Sequence, residues 1–386
     1  MRRKLTIGVI AARTGRLSRL GAPPLFAMDL LEPHLRRISN SGRAHEVRLV
    51  SRDSGSEPAQ ARRGTEELIR DEHADVVLTL AGTHVLPAVA DTCEEMATPC
   101  VSSTFPWQVY YYGRGATDDR PFRWTYHFAW GLDDIASTFA EMWEALGPGQ
   151  RVGCVWNDGP QGNWSRDRFA PVAEDRGHDL VDPGGYREPA ADFSPHIGEF
   201  LGADVEVVTS TATSADLALF YEQAAERGLR PRLITCSRWL AYPFQGALAD
   251  AKVATLVYWT PRHPYRSSFD GMRADELADA YEQRTGQQWL QPLGLAHALF
   301  EVAAHALSTA GDPTDRESVA AAIGSARLET MAGPLDWTRG PVPNVATVPL
   351  VGGQWKPGGR HLRDLAVVSN RRHPEIPVEA ELEPLR

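Results

Sequence analysis

Short apolar segments alternate with helical segments in the first part of the chain, and this alternation constrains the fold more than any other feature. The strand-like segments are residues 5–11 (LTIGVIA), 46–53 (EVRLVSRD), 75–82 (DVVLTLAG) and 99–104 (PCVSST). Amphipathic helices are predicted over residues 57–73 and 84–97. Short apolar strands that alternate with such helices indicate a parallel sheet covered on both faces.

The same rhythm restarts after an interruption, which predicts a second sheet. The strand-like segments here are residues 151–157, 205–212 and 231–237, and helices are predicted over Arg166–Arg176 and Ser214–Arg227. A chain of 386 residues exceeds what one hydrophobic core usually holds. We therefore expect an α/β protein with two lobes.

The order of the remaining segments predicts that the chain crosses between the lobes three times. The crossings are expected near Thr125–Trp130, Val257–Pro261 and Gly333–Trp337. Helices over Gly271–Thr285 and Pro292–Ala310 suit a return to the first lobe, and the tail around Gly352-Gly353 and Gly358-Gly359 alternates as an antiparallel hairpin does. The predicted lobes are residues 1–128 with 260–333, and residues 129–259 with 334–386.

Charge and cysteine content exclude several classes of partner and cofactor. The formal charge of −10 argues against nucleic acid and anionic membranes, because both would be repelled at long range. The four cysteines show no CxxC motif and no zinc-type spacing with histidine, so we interpret them as buried small apolar residues. No metal or organic cofactor is expected.

The N-terminus reads as a first strand. Met1-Arg2-Arg3-Lys4 resembles the basic region of a signal peptide, but LTIGVIAA follows at once, without a longer apolar stretch and a cleavage site. No later apolar run approaches the roughly 20 residues of a membrane helix. The sequence as written predicts a cytoplasmic protein with no membrane insertion.

Several segments, taken in order, resemble the type I periplasmic-binding-protein fold, in particular the branched-chain amino acid (Leu/Ile/Val-type) solute-binding proteins of ABC transporters. The resemblance is carried by LTIGVIAARTGRLSRLG, VRLVSRDSGSEPAQARRGTEELI, ADVVLTLAGTHVLPAVADTCEEMATPCVSS, GPLDW and PLVGGQW. Each motif is weak alone, but together they cover nearly the whole chain. The resemblance implies two Rossmann-like lobes, a three-crossing hinge and a ligand in the cleft between the lobes.

An aromatic run, Phe105 to Tyr112, follows the fourth strand with no strand or helix period. Ligands of open α/β sheets bind beyond the carboxyl ends of the strands. Trp107 and Tyr110 are therefore predicted to form a wall of the pocket, because aromatic rings give large contact area at low entropy cost. A hydrophobic plug or a partner surface is the alternative.

Other candidates lie at strand ends of the first lobe. Thr83 and His84 precede a helix, where backbone N–H groups and the Thr83 hydroxyl can receive a carboxylate, although Thr83 as a plain N-cap is an equal alternative. Ser103 and Thr104 end the next strand, where strand-end packing is the alternative. The loop after the first strand adds Ser18.

The second lobe and the hinge supply the remaining candidates. They are Gln161, Thr213, Arg238, Trp239 and Trp259. The resemblance implies a ligand-facing residue close to the position of Gln161 or Gly162, and for Trp239 and Trp259 pocket and core remain equal alternatives. Where the family often has the acid that pairs the ammonium of an amino acid, this sequence has Arg238-Trp239. We therefore expect a flat or aromatic ligand with a carboxylate or amide, held by Thr83 and Arg238 and stacked on Trp107.

Three functions remain open from the sequence. The first is a solute-binding protein whose lobes close on a small molecule, with an ABC permease as partner if the chain is exported. The second is a cytoplasmic ligand sensor. The third is an enzyme that uses the cleft, for which His84, His127 and His263 are candidate bases, although no familiar hydrolase, metalloprotease or nucleotide motif occurs.

Overall fold

A computed structural model describes residues 3–239 and 252–385. Within these ranges the strands are β1 Leu5–Ala11, β2 Arg37–Asn40, β3 Arg43–Asp53, β4 Val76–Leu80, β5 Cys100–Ser103, β6 Thr125–Ala129, β7 Arg151–Val155, β8 Asp179–Val181, β9 Val207–Ser210, β10 Leu233–Cys236, β11 Ala254–Val257, β12 Arg327–Thr330, β13 Gly333–Asp336, β14 Val345–Thr347, β15 Val351–Pro357 and β16 Arg363–Ser369. The helices are α1 Ser18–Leu35, α2 Pro58–Arg70, α3 Val85–Glu95, α4 Trp107–Tyr111, α5 Leu132–Glu144, α6 Pro160–Asp175, α7 Ser194–Gly202, α8 Ser214–Glu226, α9 Ala274–Thr285, α10 Pro292–Thr309 and α11 Arg316–Gly324.

The chain divides into two compact units, each with its own seven-stranded sheet. The first unit is Met1–Trp130 with Trp259–Pro349, and the second is Gly131–Tyr258 with Leu350–Arg386. The first sheet has the order β14-β6-β5-β4-β1-β3-β2 and is parallel except for the β2–β3 hairpin. The second has the order β16-β15-β11-β10-β9-β7-β8, with β15 and β16 antiparallel. The predicted α/β class with two mainly parallel sheets is confirmed.

Local sequence explains several of these elements. All residues of β1 are buried, which suits an apolar strand covered by helices on both faces. Helix α8 begins after Thr213, whose hydroxyl accepts the Asp216 N–H at 3.2 Å. Helix α9 ends at Gly286, which adopts a left-handed φ of 67°. The hairpin of β15 and β16 turns through Gly358 and Gly359, as the pattern of the C-terminal segment predicted.

The third passage between the units differs from the one predicted near Gly333. Strand β14 pairs in parallel with β6, so residues 334–349 belong to the first unit and the chain passes after Pro349. The reason is a long-range pairing, because Val345 lies beside His127 in the ladder although the two are far apart in sequence. Such a pairing leaves no local signal.

Candidate functional site

The carboxyl ends of β4 and β5 lie side by side in the first unit. In the ladder, Leu80 is the partner of Ser103. The loop after Leu80 therefore starts beside the residues that follow Ser103. Thr83, His84, Thr104 and Trp107, all predicted as site residues, belong to these two connections.

The turn before α3 presents backbone donors. The N–H groups of Val85 and Leu86 both donate to the Gly82 carbonyl at 3.0 Å. In the described part of the chain, the N–H groups of Thr83 and His84 meet no acceptor, and His84 is the exposed N-cap. The alternative in which Thr83 is the N-cap is therefore wrong, and this helix start offers free donors at the positive end of its dipole.

Thr104 holds an unusual backbone conformation immediately after β5. Its φ of 133° lies in a region that β-branched residues rarely adopt, and its buried Oγ1 has no hydrogen-bond partner among the described residues. The neighbouring Ser103 is buried and donates its hydroxyl to the Phe128 carbonyl at 2.6 Å. Strain and an unpaired hydroxyl thus coincide at one strand end.

The aromatic run forms the short helix α4, which the sequence analysis did not expect. Trp107 is its first residue, is 9% exposed, and donates its backbone N–H to the Trp130 carbonyl at 3.0 Å. Tyr110 is completely buried, with its ring stacked on His127 at 4.1 Å and the Arg114 guanidinium 4.6 Å from the ring centre. Tyr110 therefore packs inside the first unit, whereas the ring of Trp107 meets that of Tyr112 at 5.8 Å.

His127 is locked inside the first unit. Its ring nitrogens lie 2.9 Å from the Ser102 hydroxyl and 3.0 Å from the Phe105 carbonyl oxygen. Burial lowers the pKa of His127 to about 3, with a smaller contribution from the Arg114 charge and an opposing one from the Phe105 hydrogen bond. This histidine is therefore neutral at pH 7 and shielded from solvent.

The loop between β1 and α1 is fixed by Asp53. The Asp53 carboxylate accepts the Arg13 N–H at 2.8 Å, the Thr14 hydroxyl at 2.7 Å and the Gly55 N–H at 2.8 Å. Burial alone would raise the pKa of Asp53, but these hydrogen bonds outweigh it and hold the pKa below its ordinary value. Ser18, another candidate of this unit, begins α1 and donates its N–H to the Gly15 carbonyl at 3.2 Å.

In the second unit, the candidates Arg238 and Gln161 each take part in polar contacts with other residues of the protein. Arg238 forms an ion pair with Glu188 and also donates to the Thr211 carbonyl at 3.2 Å. The Thr211 hydroxyl in turn donates to Asn157 Oδ1 at 2.8 Å. Gln161 donates to the Ser237 hydroxyl at 2.9 Å. The predicted carboxylate clamp at Arg238 thus already holds a carboxylate of the protein.

Sequence reasoning missed Glu188, Tyr186 and Asp216. The Tyr186 hydroxyl donates to Asp216 Oδ2 at 3.3 Å, and the Ala190 N–H donates to Asp216 Oδ1 at 3.0 Å. Burial, then the charges of Glu188 and Asp216, raise the pKa of Tyr186. Tyr186 and Glu188 lie in residues 182–193, which carry no helix or extended strand, so no periodic pattern marked them. Asp216 lies in the predicted helix α8, where its partners come from that distant segment.

The two remaining tryptophans are buried. Trp239 is 2% exposed and Trp259 is fully buried. The Trp259 ring meets Trp289 edge to face at 5.8 Å, and a Cβ on Gly294 would lie only 2.1 Å from it. Only glycine lets α10 approach so closely. For Trp259 the core alternative therefore describes the packing better than the pocket.

In residues 3–239 and 252–385, no cluster of three or more His, Cys, Asp or Glu side chains could hold a metal ion. Over the same ranges, no helix combines the length and apolar character needed to cross a membrane.

Solved structures share this architecture. A leucine binding protein, LivK from Thermotoga maritima MSB8, superposes with a TM-score of 0.75 and 20% identity, covering 95% of this chain and 99% of its own. A solute binding protein of an ABC transporter from Rhodopseudomonas palustris BisB5, in complex with 3,4-dihydroxybenzoic acid, superposes with a TM-score of 0.72 and 17% identity. The match covers 99% of this chain and 98% of that protein. Another solute binding protein from R. palustris, in complex with 4-hydroxybenzoate, superposes with a TM-score of 0.72 and 16% identity. The match covers 100% of this chain and 97% of that protein.

The family comparison covers most of the chain. No curated protein matches the sequence. The family model described as periplasmic binding protein, however, matches residues 4–360. Together with two mainly parallel sheets and the shared type I fold, this match identifies the chain as a member of the periplasmic binding protein family.

Proposed function

We propose that this chain binds a small organic molecule with a flat or aromatic body and a carboxylate or amide, as a solute-binding protein of the ABC-transporter type. The observation that carries the proposal is the group of unsatisfied polar atoms at the ends of β4 and β5. It comprises the free N–H groups of Thr83 and His84 and the buried, unpaired hydroxyl of Thr104.

These atoms suit an acceptor-rich ligand group. A carboxylate accepts several hydrogen bonds, and the start of α3 adds a favourable dipole. A buried polar atom without a partner costs about 1–3 kcal/mol, which a ligand that pairs with it can recover. Trp107, which follows Thr104 by three residues, would offer the ring of the ligand an aromatic surface.

The second unit supports a ligand without an ammonium group. Its carboxylate nearest to Arg238 is Glu188, and the guanidinium already neutralises it. Asp216 is occupied by Tyr186 and the Ala190 N–H. At either of these two acids, the ammonium of an α-amino acid would have to displace an existing partner of the carboxylate.

The names of similar solved structures support the same ligand class. Complexes with 3,4-dihydroxybenzoic acid, 4-hydroxybenzoate and benzoate occur among them. The same fold also includes a leucine binding protein and a complex with isoleucine. Because the identities are 20% or lower, we propose the aromatic carboxylate from the chemistry of the site and use these names as support only.

A matched ligand series tests the proposal. Titration calorimetry with benzoate, 4-hydroxybenzoate, benzamide, toluene and leucine separates the carboxylate, the amide, the ring and the amino acid. We expect benzoates to bind most tightly, benzamide more weakly, and toluene and leucine not measurably. Tight binding of leucine with no binding of any benzoate would contradict the proposal.

Closure of the lobes, expected from the sequence, has its own measurement. A ligand that binds one conformation more tightly shifts the population towards it. Small-angle scattering of the full chain should therefore show compaction on saturation with a ligand identified by calorimetry. An unchanged radius of gyration would contradict closure but would leave the ligand class standing.

A further inference from the structure

His127 lies on β6 and contacts the chain on both sides of Thr104. It is the ladder partner of Ser102. The Nε2 atom of His127 lies 3.0 Å from the Phe105 carbonyl oxygen, and its Nδ1 atom lies 2.9 Å from the Ser102 hydroxyl. One imidazole ring thus joins the residue two positions before Thr104 to the residue directly after it.

The groups around the ring fix its protonation and its orientation. A carbonyl oxygen can only accept, so Nε2 carries the proton and donates to Phe105. Burial lowers the pKa of His127 to about 3, so the ring is neutral at pH 7 and Nδ1 accepts from the Ser102 hydroxyl. The Tyr110 ring stacks on the imidazole at 4.1 Å, which fixes its plane. The Phe105 carbonyl is therefore held by a rigid donor.

Further contacts hold the chain on both sides of Thr104. Ser103 donates its hydroxyl to the Phe128 carbonyl at 2.6 Å, and the Trp107 N–H donates to the Trp130 carbonyl at 3.0 Å. Between these contacts Thr104 has a φ of 133°, and its buried hydroxyl oxygen meets no partner among the described residues. A strained backbone persists only where the surrounding structure over-determines it. The contacts around Thr104 meet that condition.

We propose that His127 is a positioning residue of the ligand site: by fixing the Phe105 carbonyl, it holds Thr104 in the strained backbone that leaves the Thr104 hydroxyl free for the ligand. This role rests on the proposed function, in which that hydroxyl pairs with an acceptor group of the ligand. A Thr104 free to relax can turn its hydroxyl towards another acceptor of the protein, and a ligand would then have to break that bond. Fixing the residue in advance lowers the ordering cost of binding.

A double-mutant cycle with benzoate tests this role. His127→Phe keeps a ring that can stack on Tyr110 but removes both hydrogen bonds. It should weaken benzoate binding about tenfold, as expected when one hydrogen bond to the ligand is no longer well placed. Thr104→Gly removes both the hydroxyl and the strain and should weaken binding by a similar factor. In the Thr104→Gly chain, His127→Phe should then change the affinity by less than about twofold. Two factors that multiply would overturn the proposal.

The melting temperature without ligand measures the strain by itself. Thr104→Gly should raise it by about 3 °C because the strain is relieved, whereas Thr104→Ala, which keeps the Cβ, should not raise it. In the His127→Phe chain the rise should vanish, because the strain is no longer imposed. Ala97→Gly is the matched control, since Ala97 also has a positive φ, of 47°, but precedes β5. Its effect should be the same with His127 and with Phe at that position.

These measurements distinguish two failures. If no benzoate binds the unaltered chain, the proposed ligand class is wrong, and the melting temperatures still decide whether His127 holds Thr104 under strain. No rise with Thr104→Gly, or a rise that persists unchanged in the His127→Phe chain, would overturn the positioning role. If His127→Phe fails to fold, His127→Gln, which can keep one donor, should give intermediate values in the same cycle. Values equal to those of the unaltered chain would overturn the role as well.

Discussion

The carboxyl ends of the two sheets differ in how their polar groups are satisfied. In the first unit, the N–H groups of Thr83 and His84 and the Thr104 hydroxyl have no partner among the described residues. In the second unit, the corresponding strand ends carry charged groups that pair with one another, as Arg238 does with Glu188. Among the described residues, the second end also has a buried donor without a partner, Trp156 Nε1, but its charged Arg238 and Glu188 are already paired with each other.

This difference indicates a division of labour. The buried Thr104 hydroxyl is costly to leave unpaired in a folded protein, so a ligand that pairs with it gains binding energy. Polar groups that already pair with one another contribute shape and rigidity, and breaking one of these pairs costs free energy. We therefore expect the first unit to provide most of the affinity for an acidic group, and the second to select against ligands that need a new ion pair.

The largest expected effect is on the free energy of unfolding, and it distinguishes a core residue of the first unit from a residue of the strand-end site. Replacing Tyr110 with alanine should cost about 3–5 kcal/mol of unfolding free energy, because it removes a buried ring stacked on His127. Tyr110→Phe, which keeps the ring, is the matched control and should cost much less. Denaturant unfolding measures both. Unchanged stability with lost ligand binding would instead place Tyr110 in the site.

The next prediction concerns the pH dependence of stability that comes from His127, which packs in the same core. The pKa of His127 is about 3 in the folded state against an ordinary 6.5, so the unfolded chain takes up a proton first as the pH falls. His127 makes its full contribution to the free energy of unfolding above pH 6.5. This contribution falls by about 1.4 kcal/mol per pH unit as the pH is lowered from 6.5 towards 3.

The control for this effect is a residue that does not titrate. His127→Gln should lower stability at pH 7 but flatten its dependence between pH 6.5 and pH 4, as measured by urea unfolding at a series of pH values. An equally steep dependence in both proteins would show that other groups cause it.

The third prediction concerns affinity. Trp107→Ala should weaken benzoate binding by about 1–3 kcal/mol, the cost of losing an aromatic anchor, and Thr83→Ala should weaken it less because backbone donors remain. Calorimetry measures affinity, and melting without ligand measures the fold. If Trp107→Ala mainly lowers the melting temperature and leaves affinity unchanged, Trp107 is part of the core and the proposed site loses its aromatic wall.

The smallest expected effect tests the second unit. Glu188→Gln removes the charge that neutralises Arg238, so carboxylate ligands should bind at most about tenfold more tightly, the range of a partly exposed ion pair. Arg238→Gln is the reciprocal variant and should not strengthen binding. If Glu188→Gln instead weakens benzoate binding, the ion pair positions the ligand contact and the proposed division of labour is wrong.

The sequence predicted much of the fold because its signals are local. Residues 5–11 form β1 as expected, and the helix expected at Ser214–Arg227 is α8. Helix α1 was not predicted, since Pro23, Pro24 and Pro33 within it are residues that usually interrupt helices. Strand β14 was not predicted in the first unit because its partner, β6, is more than two hundred residues away.

The candidate site was predicted less completely, for the same reason. The sequence marked Thr83 and Trp107 because each directly follows a strand, and strand ends can be read locally. It gave no indication that Tyr110 is buried between His127 and Arg114, or that Glu188 occupies Arg238. Those contacts join residues from different elements, so no spacing along the chain encodes them.

By itself, the sequence determined the alternation of strands and helices, the presence of two sheets and the family resemblance, because periodicity and turn residues act over a few positions. Only the tertiary structure decided which polar groups remain without a partner. Whether a donor is satisfied depends on every element packed around it. Thr104 and Arg238 look equally available in the printed sequence, and only their neighbours in space leave the Thr104 hydroxyl unpaired and give Arg238 a partner.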